Sequence, residues 1–230
     1  MIPVRGSTFS RDTAYVTWTL VSLNALIYIW DRGGAVFAPG QAFADLVMRP
    51  REVVLAVTGK GDPTEMAKMF TAMFLHGSFF HIMGNILYLA AFGPNVEAAM
   101  GSVRFALYYL AWGVAAFATQ IFVQPYSEVP VLGASGAIGG VLGAYFVLFP
   151  ANKVRVIVPP LVWMTFPVSA FILLGVWFLA QILWPQDGVA TWAHAGGFVA
   201  GMLTVLLLGG RKKLVTGETF EEDSGFDDDD

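Results

Sequence analysis

Six apolar runs divide the chain and are separated by shorter polar stretches. They cover residues 14–30, 81–97, 105–123, 135–149, 161–184 and 190–209. A hydrocarbon core of about 30 Å is crossed by roughly 20 helical residues, and each run approaches that length. Between the first two runs, residues 31–76 alternate short apolar pieces with charges, glycines and prolines. The pattern predicts an all-α, polytopic membrane protein with six transmembrane helices and a long first extramembrane loop, residues 31–76, that contains short helices.

Composition excludes an ordinary soluble domain. Hydrophobic residues make up 56% of the 230 residues and charged residues only 13%, against about 25% charged in a typical soluble domain. Cysteine is absent, so thiol nucleophiles and thiolate metal sites are excluded. The net charge of −4 comes from the eight acidic residues within 218–230. We expect a cytoplasmic N-terminal segment (1–13), a six-helix membrane domain (14–210) and a disordered acidic cytoplasmic tail (211–230).

The placement of lysine and arginine predicts the orientation of the spans. The first run lacks a small-residue cleavage site and is interpreted as a retained helix rather than a signal peptide. An even number of spans leaves both termini on one side, and cytoplasmic loops collect positive charge. Eight basic residues then fall on the side of the termini: Arg5, Arg11, Arg104, Lys153, Arg155, Arg211, Lys212 and Lys213. The loops 124–134 and 185–189 contain none, so both termini are predicted to be cytoplasmic.

Polar side chains within three of the runs form a candidate site. His81 and Asn85 are four residues apart and share a helix face. Ser135 stands in Gly133-Ala134-Ser135-Gly136 at the mouth of a span, and His194 precedes Gly197 and Gly201. Counted from the cytoplasmic helix ends at 1.5 Å per residue, Ser135, His81 and His194 reach a similar depth of about 21–24 Å. Polar groups in a membrane are costly and indicate function.

Nucleophilic catalysis is the chemistry that fits these residues. Ser135 becomes a nucleophile when a neutral His194 accepts its proton, and His81, Asn85 and the Ser135 N–H can donate to an oxyanion. No acid lies within a span, so we expect a dyad. Three glycine pairs at i, i+4 predict close helix packing: Gly136 with Gly140, Gly139 with Gly143, and Gly197 with Gly201. His76 lies near the interface, where a structural hydrogen bond is the favoured interpretation.

Between residues 70 and 201 the chain resembles the rhomboid family of intramembrane serine proteases. The shared motifs are His76-x4-His81-x3-Asn85, the residues 92–97 that follow, Gly133-x-Ser135-Gly136 and His194-x2-Gly197-x3-Gly201, in the family's order. The resemblance implies that Ser135 is the nucleophile, His194 its base, and His81 and Asn85 the oxyanion donors. Supporting roles are expected for His76, Gly133, Gly136, Gly197 and Gly201.

Two positions depart from the family pattern. Some members have a Trp-Arg pair in the first loop, whereas this chain has Glu65-Met66-Ala67-Lys68, so the anchoring of the loop is expected to differ. Some place a tyrosine four residues after the serine to stack on the base, whereas this chain has Gly139. Tyr145, or an aromatic side chain from another helix, is expected to orient His194 instead.

The resemblance implies a serine endopeptidase that cleaves transmembrane segments of single-pass or polytopic membrane proteins, at helix-destabilising sequences. The fifth run and the loop after it are candidates for a lateral gate and cap. No cofactor, metal or nucleic acid is expected, only substrate and the lipid bilayer, and the expected location is a bacterial inner (plasma) membrane. Two alternatives remain open: a catalytically silent rhomboid-like protein that binds membrane clients, and a small transporter that uses His81 and His194 as a proton relay.

Overall fold

The computed structural model describes residues 2–6, 14–38, 43–158, 161–186 and 188–215. Within these residues the chain is mostly helical and also contains a small β-sheet. The α-helices are α1 (Tyr15–Asp31), α2 (Pro50–Val57), α3 (Lys68–Thr71), α4 (Phe79–Met100), α5 (Ser102–Val123), α6 (Ser135–Leu148), α7 (Ala170–Leu183), α8 (Thr191–Leu207) and α9 (Gly210–Val215). The strands are β1 (Ile2–Gly6), β2 (Lys153–Val158) and β3 (Leu161–Ser169), and short 3-10 turns lie at Ala44–Leu46, Pro63–Ala67 and Ala72–Phe74.

The predicted count of six spans is not confirmed. Among the described residues, α5 is the one helix that is long and apolar enough to cross a membrane by itself. Residues Pro63–Phe74 and Phe79–Met100 pass the same test together, as a pair bent by 77°. The apolar helices α6 and α7 have 14 residues each, which gives a length of about 21 Å. These two helices are therefore shorter than a hydrocarbon core of about 30 Å.

A three-stranded antiparallel sheet, in the order β1-β2-β3, corrects the all-α prediction. Strand β2 alternates in sequence, so that Val154 and Val156 are buried while Lys153 and Arg155 are exposed, which is the period of a strand. The fifth apolar run, residues 161–184, was predicted to be a single helix, and this prediction was wrong. Its first part is β3, in which Pro167 lies on an edge strand where proline is tolerated, and the helix begins only at Ala170.

Helix α6 lies at the centre of the bundle. Every residue from 136 to 145 is buried, as expected for a helix that is apolar on all sides. The glycines of α6 and α8 lie directly against each other's backbone, and an added Cβ on Gly201 would clash with the Gly140 carbonyl oxygen. A Cβ on Gly143 would clash in the same way with the carbonyl oxygen of Phe198. The close approach predicted from the glycine spacing is thus present in the structure.

Helix α1 is fastened to α4 by the buried carboxylate of Glu97. That carboxylate accepts hydrogen bonds from the backbone N–H groups of Val16 (2.9 Å) and Thr17 (2.7 Å) and from the Thr17 hydroxyl (2.7 Å). The first N–H groups of a helix lack intrahelical acceptors, and a negative charge is favoured at that end. Glu97 therefore acts as an N-terminal cap for α1, supplied from another helix.

The long loop is held against the segment that leads into α6. Met48 and Val131 form a two-bond antiparallel bridge, with N–O distances of 3.2 and 2.7 Å. At the other end of the loop, buried Arg32 pairs with Asp31 and donates to the His76 carbonyl oxygen at 2.8 Å. Where some relatives have a Trp-Arg pair, Lys68 and Glu65 form an ion pair at 2.7 Å.

The ends of the chain differ in part from the predicted boundaries. Strand β1 lies within the predicted N-terminal segment 1–13 and pairs with β2. Helix α9 crosses the predicted boundary at residue 211. The remainder of the acidic tail, residues 216–230, lies outside the described residues, and the prediction of disorder there is not tested.

Candidate active site

The side chains of Ser135 and His194 are in hydrogen-bonding contact. His194 Nε2 lies 2.8 Å from Ser135 Oγ, although the two residues are 59 positions apart. Ser135 is the first residue of α6, and His194 lies in the first turn of α8. The glycine contacts between these helices bring the two side chains together.

Gly133 sets the backbone conformation of the segment that leads into Ser135. Its φ is +116°, a conformation that favours glycine, and its N–H donates to the Ala72 carbonyl oxygen at 2.8 Å. An added Cβ would lie 2.7 Å from His81 Nε2. The missing side chain thus gives room to the imidazole of His81.

A cavity of about 840 Å³ joins the four predicted side chains. Ser135, His194, His81 and Asn85 all line it. Residues of α4 and α7 line it as well, and so do residues 186, 188 and 189 of the loop before α8.

Asn85 and His81 lie on one face of α4, as their spacing predicts. Ser78 caps that helix by accepting a hydrogen bond from the His81 N–H at 3.2 Å. Asn85 is 9% exposed, and its Nδ2 has no hydrogen-bond partner among the described residues. A buried amide donor without an acceptor is costly and is therefore a candidate for contact with a bound molecule.

His76 lies beside the site, just before α4 begins. Its ring lies against that of His81, with 5.2 Å between centroids. Burial, and secondarily the neighbouring His81, lower the pKa of His76 to about 3. The ring of His76 is therefore neutral near pH 7 and places no charge beside His81.

The remaining predicted glycines are packing positions. An added Cβ on Gly136 would lie 2.7 Å from Ala116 of α5. Gly197 lies against the carbonyl oxygen of Gly136, and Gly201 against that of Gly140. Each of the three glycines therefore lets the backbone of α6 approach a neighbouring helix closely.

Tyr145 does not orient His194. Its hydroxyl accepts hydrogen bonds from Asn95 (3.3 Å) and Asn152 (3.5 Å) instead. The aromatic partner of His194 comes from another helix, since Trp177 of α7 lies 5.9 Å away between ring centroids. Gly139, which replaces the tyrosine of some relatives, has no space for a side chain, because a Cβ there would lie 2.7 Å from the His194 carbonyl oxygen.

Two glutamines at the site were missed by the sequence reasoning. Gln181 Oε1 of α7 lies 2.8 Å from His194 Nδ1. Gln120 of α5 accepts a hydrogen bond from the Ala193 N–H at 3.1 Å and so caps the start of α8. Both interrupt apolar runs, and the rule that singled out the histidines would have found them.

No group of three or more His, Asp or Glu side chains within the described ranges could hold a metal ion.

Comparison with known proteins shows which family the chain resembles. The family model described as Rhomboid domain matches residues 63–211, which is more than half of the chain. Rhomboid protein 1, mitochondrial, from Saccharomyces cerevisiae is 31% identical over 153 residues, which cover 61% of this chain and 41% of the yeast protein. Rhomboid protease GluP from Bacillus subtilis is 32% identical over 145 residues, which cover 63% of this chain and 26% of the Bacillus protein. RHOMBOID-like protein 5 from Arabidopsis thaliana is 30% identical over 146 residues, which cover 63% of this chain and 45% of the Arabidopsis protein.

The matched segments span less than half the length of each of these relatives. The segment that matches the family model nevertheless contains α4 to α8 and every residue that lines the cavity around Ser135 and His194. This chain belongs to the rhomboid family and is an integral membrane protein.

Proposed function

We propose that this chain is an intramembrane serine endopeptidase with Ser135 as nucleophile and His194 as general base. The observation that carries the proposal is the 2.8 Å contact between Ser135 Oγ and His194 Nε2. It lies in a cavity that also holds the unpaired amide donor of Asn85. Protease-named relatives support the same activity.

The acylation step uses the dyad for both proton transfers. Ser135 Oγ attacks the carbonyl carbon of the substrate peptide while its proton passes to His194 Nε2. The carbonyl oxygen takes up the displaced electron pair as an oxyanion. When the C–N bond breaks, His194 returns the proton to the departing amine nitrogen, and the acyl group remains on Ser135.

Deacylation repeats the sequence with water. His194 accepts a proton from the water as its oxygen attacks the acyl carbon, and then returns that proton to Ser135 Oγ as the ester bond breaks. The oxyanion of both steps is held by Asn85 Nδ2, His81 and the Ser135 N–H. The last of these lies at the N-terminus of α6, where amides have no intrahelical acceptor.

The substrate is a transmembrane segment of a single-pass or polytopic membrane protein. The cavity lining includes Phe80 of α4 and Trp184, which directly follows α7, and these side chains are 74% and 69% exposed. Side chains this apolar and this exposed suit contact with lipid or with a substrate helix. A helix must unwind before its carbonyl can reach Ser135, which favours sequences with glycine, proline or small residues. We further propose a bacterial inner membrane and two cytoplasmic termini.

Labelling with a fluorescent fluorophosphonate tests the dyad. The wild-type full chain, purified in detergent, should be labelled. The Ser135→Ala and His194→Ala variants should not be labelled. Ser22→Ala replaces an exposed serine of α1 and serves as the control, with wild-type labelling expected. If the wild type does not label and also leaves a helical substrate uncut, the proposal is wrong and a client-binding role replaces it.

A further inference from the structure

Helix α7 carries one polar side chain into the dyad. Gln181 Oε1 lies 2.8 Å from His194 Nδ1, on the opposite side of the imidazole from Ser135. The same amide donates through Nε2 to the Trp177 carbonyl oxygen, one turn earlier in α7, at 3.2 Å. Both ends of the Gln181 amide are therefore occupied.

These two contacts fix the tautomer of His194. Because Gln181 Nε2 is the donor to Trp177, the atom that faces the imidazole is the carbonyl oxygen, which only accepts. His194 Nδ1 must then carry the proton. The lone pair of the neutral ring is left on Nε2, directed at Ser135 Oγ, which is the state that a general base requires.

We propose that Gln181 is a positioning residue that completes a Ser135–His194–Gln181 triad, an inference that rests on the proposed protease function. The amide oxygen of Gln181 accepts a hydrogen bond from the Nδ1–H of His194 and carries no formal charge. A carboxylate at this depth would have to be desolvated in the membrane, whereas a neutral dipole avoids that cost. The arrangement orients the base and gives the imidazolium a hydrogen-bond acceptor after it takes up the serine proton.

The position of Gln181 couples this role to helix α7. The helix also supplies Trp177 beside the His194 ring and one wall of the cavity. Any displacement of α7 away from α8 withdraws the acceptor from Nδ1. The base is thus fully oriented only while α7 is packed against α8.

Substitutions of Gln181 distinguish the effect of losing the hydrogen-bond acceptor from the effect of changing the shape of the side chain. Gln181→Met keeps a similar length and removes the acceptor, whereas Gln181→Glu keeps an acceptor oxygen. Ile182→Met places the same new side chain at the next position, which is exposed, and is the matched control. The readouts are the rate constant of fluorophosphonate labelling, kcat and KM on a helical substrate, and the melting temperature.

We expect Gln181→Met to lower the labelling rate and kcat by roughly 10- to 100-fold, the scale of one buried hydrogen bond, with KM unchanged. Gln181→Glu should lose less of both rates than Gln181→Met, because it keeps an acceptor oxygen, but it should stay below wild type because its carboxylate has to be desolvated. Wild-type rates in Gln181→Met, or equal losses in both variants, would overturn the proposal. Failure of the wild type to label would instead count against the protease function.

A measurement on the wild-type chain makes the proposal independent of how the variants fold. Nitrogen-15 NMR of histidine-labelled protein distinguishes the two neutral tautomers, and His194→Ala assigns the resonance. We expect the Nδ1–H form for His194. Observation of the Nε2–H form would overturn the triad whether or not the protein cleaves a substrate.

Discussion

Gly197 of α8 lies directly against the carbonyl oxygen of Gly136 in α6, with no space for a Cβ between them. Gly136 follows Ser135, and Gly197 lies one turn after His194. The contact between these two glycines therefore sets the separation of the helices at the level where the serine meets the histidine.

Replacing Gly197 by alanine should separate the two helices and weaken the dyad. We expect Gly197→Ala to destabilise the fold by about 1–3 kcal/mol, the usual cost of overpacking, and to slow fluorophosphonate labelling at least about tenfold. Thermal melting and labelling rates measure both effects. Gly175→Ala on α7 is the control, since its Cβ meets only Phe146 at 3.7 Å. Wild-type labelling in Gly197→Ala would contradict the proposed role of this contact.

Glu97 should be important for stability and not for chemistry. Glu97→Gln removes a charge that four hydrogen-bond donors share, three from α1 and one from Ser102. Its loss should lower stability by about 2 kcal/mol, measured by unfolding in detergent. Glu128→Gln breaks the exposed ion pair with Arg51 and should change stability by under about 1 kcal/mol. Equal effects of the two changes would contradict a capping role for Glu97.

The main features of the site could be predicted from the sequence because polar residues are rare in apolar runs. Ser135, His194 and Asn85 come from three separate runs, and the structure places all three in the lining of one cavity. The glycine spacing predicted which helices approach closely. These inferences use local periodicity, which tertiary packing does not alter.

The parts that were missed depend on packing between distant segments. Residues 153–156 alternate basic residues with valine, but a strand forms there only because β1 and β3 supply hydrogen-bond partners. Trp177 and Gln181 share a face of α7, but their contact with His194 depends on where α7 packs. The start of α7 at Ala170 was obscured because residues 161–169 are as apolar as a helix that crosses a membrane.

Asn85 should act on the transition state rather than on substrate binding. Its Nδ2 has no partner among the described residues, so it is free to donate to an oxyanion that exists only during the reaction. Asn85→Ala should lower kcat by roughly 10²- to 10³-fold, the usual effect of losing one oxyanion donor, and leave KM nearly unchanged. Steady-state cleavage of a helical substrate measures this split. A rise in KM at constant kcat would place Asn85 in substrate binding instead.

The cysteine-free chain allows the proposed orientation to be tested with single added thiols. Tyr126 is 83% exposed in the loop between α5 and α6, which contains no lysine or arginine, whereas Arg211 is exposed near the start of α9. Positive charge collects on the cytoplasmic side, so a membrane-impermeant maleimide should label Tyr126→Cys in intact cells. Arg211→Cys should label only after the cells are opened. The wild-type chain has no thiol and gives the background, and the opposite labelling pattern would place α9 outside the cytoplasm and contradict the proposed orientation.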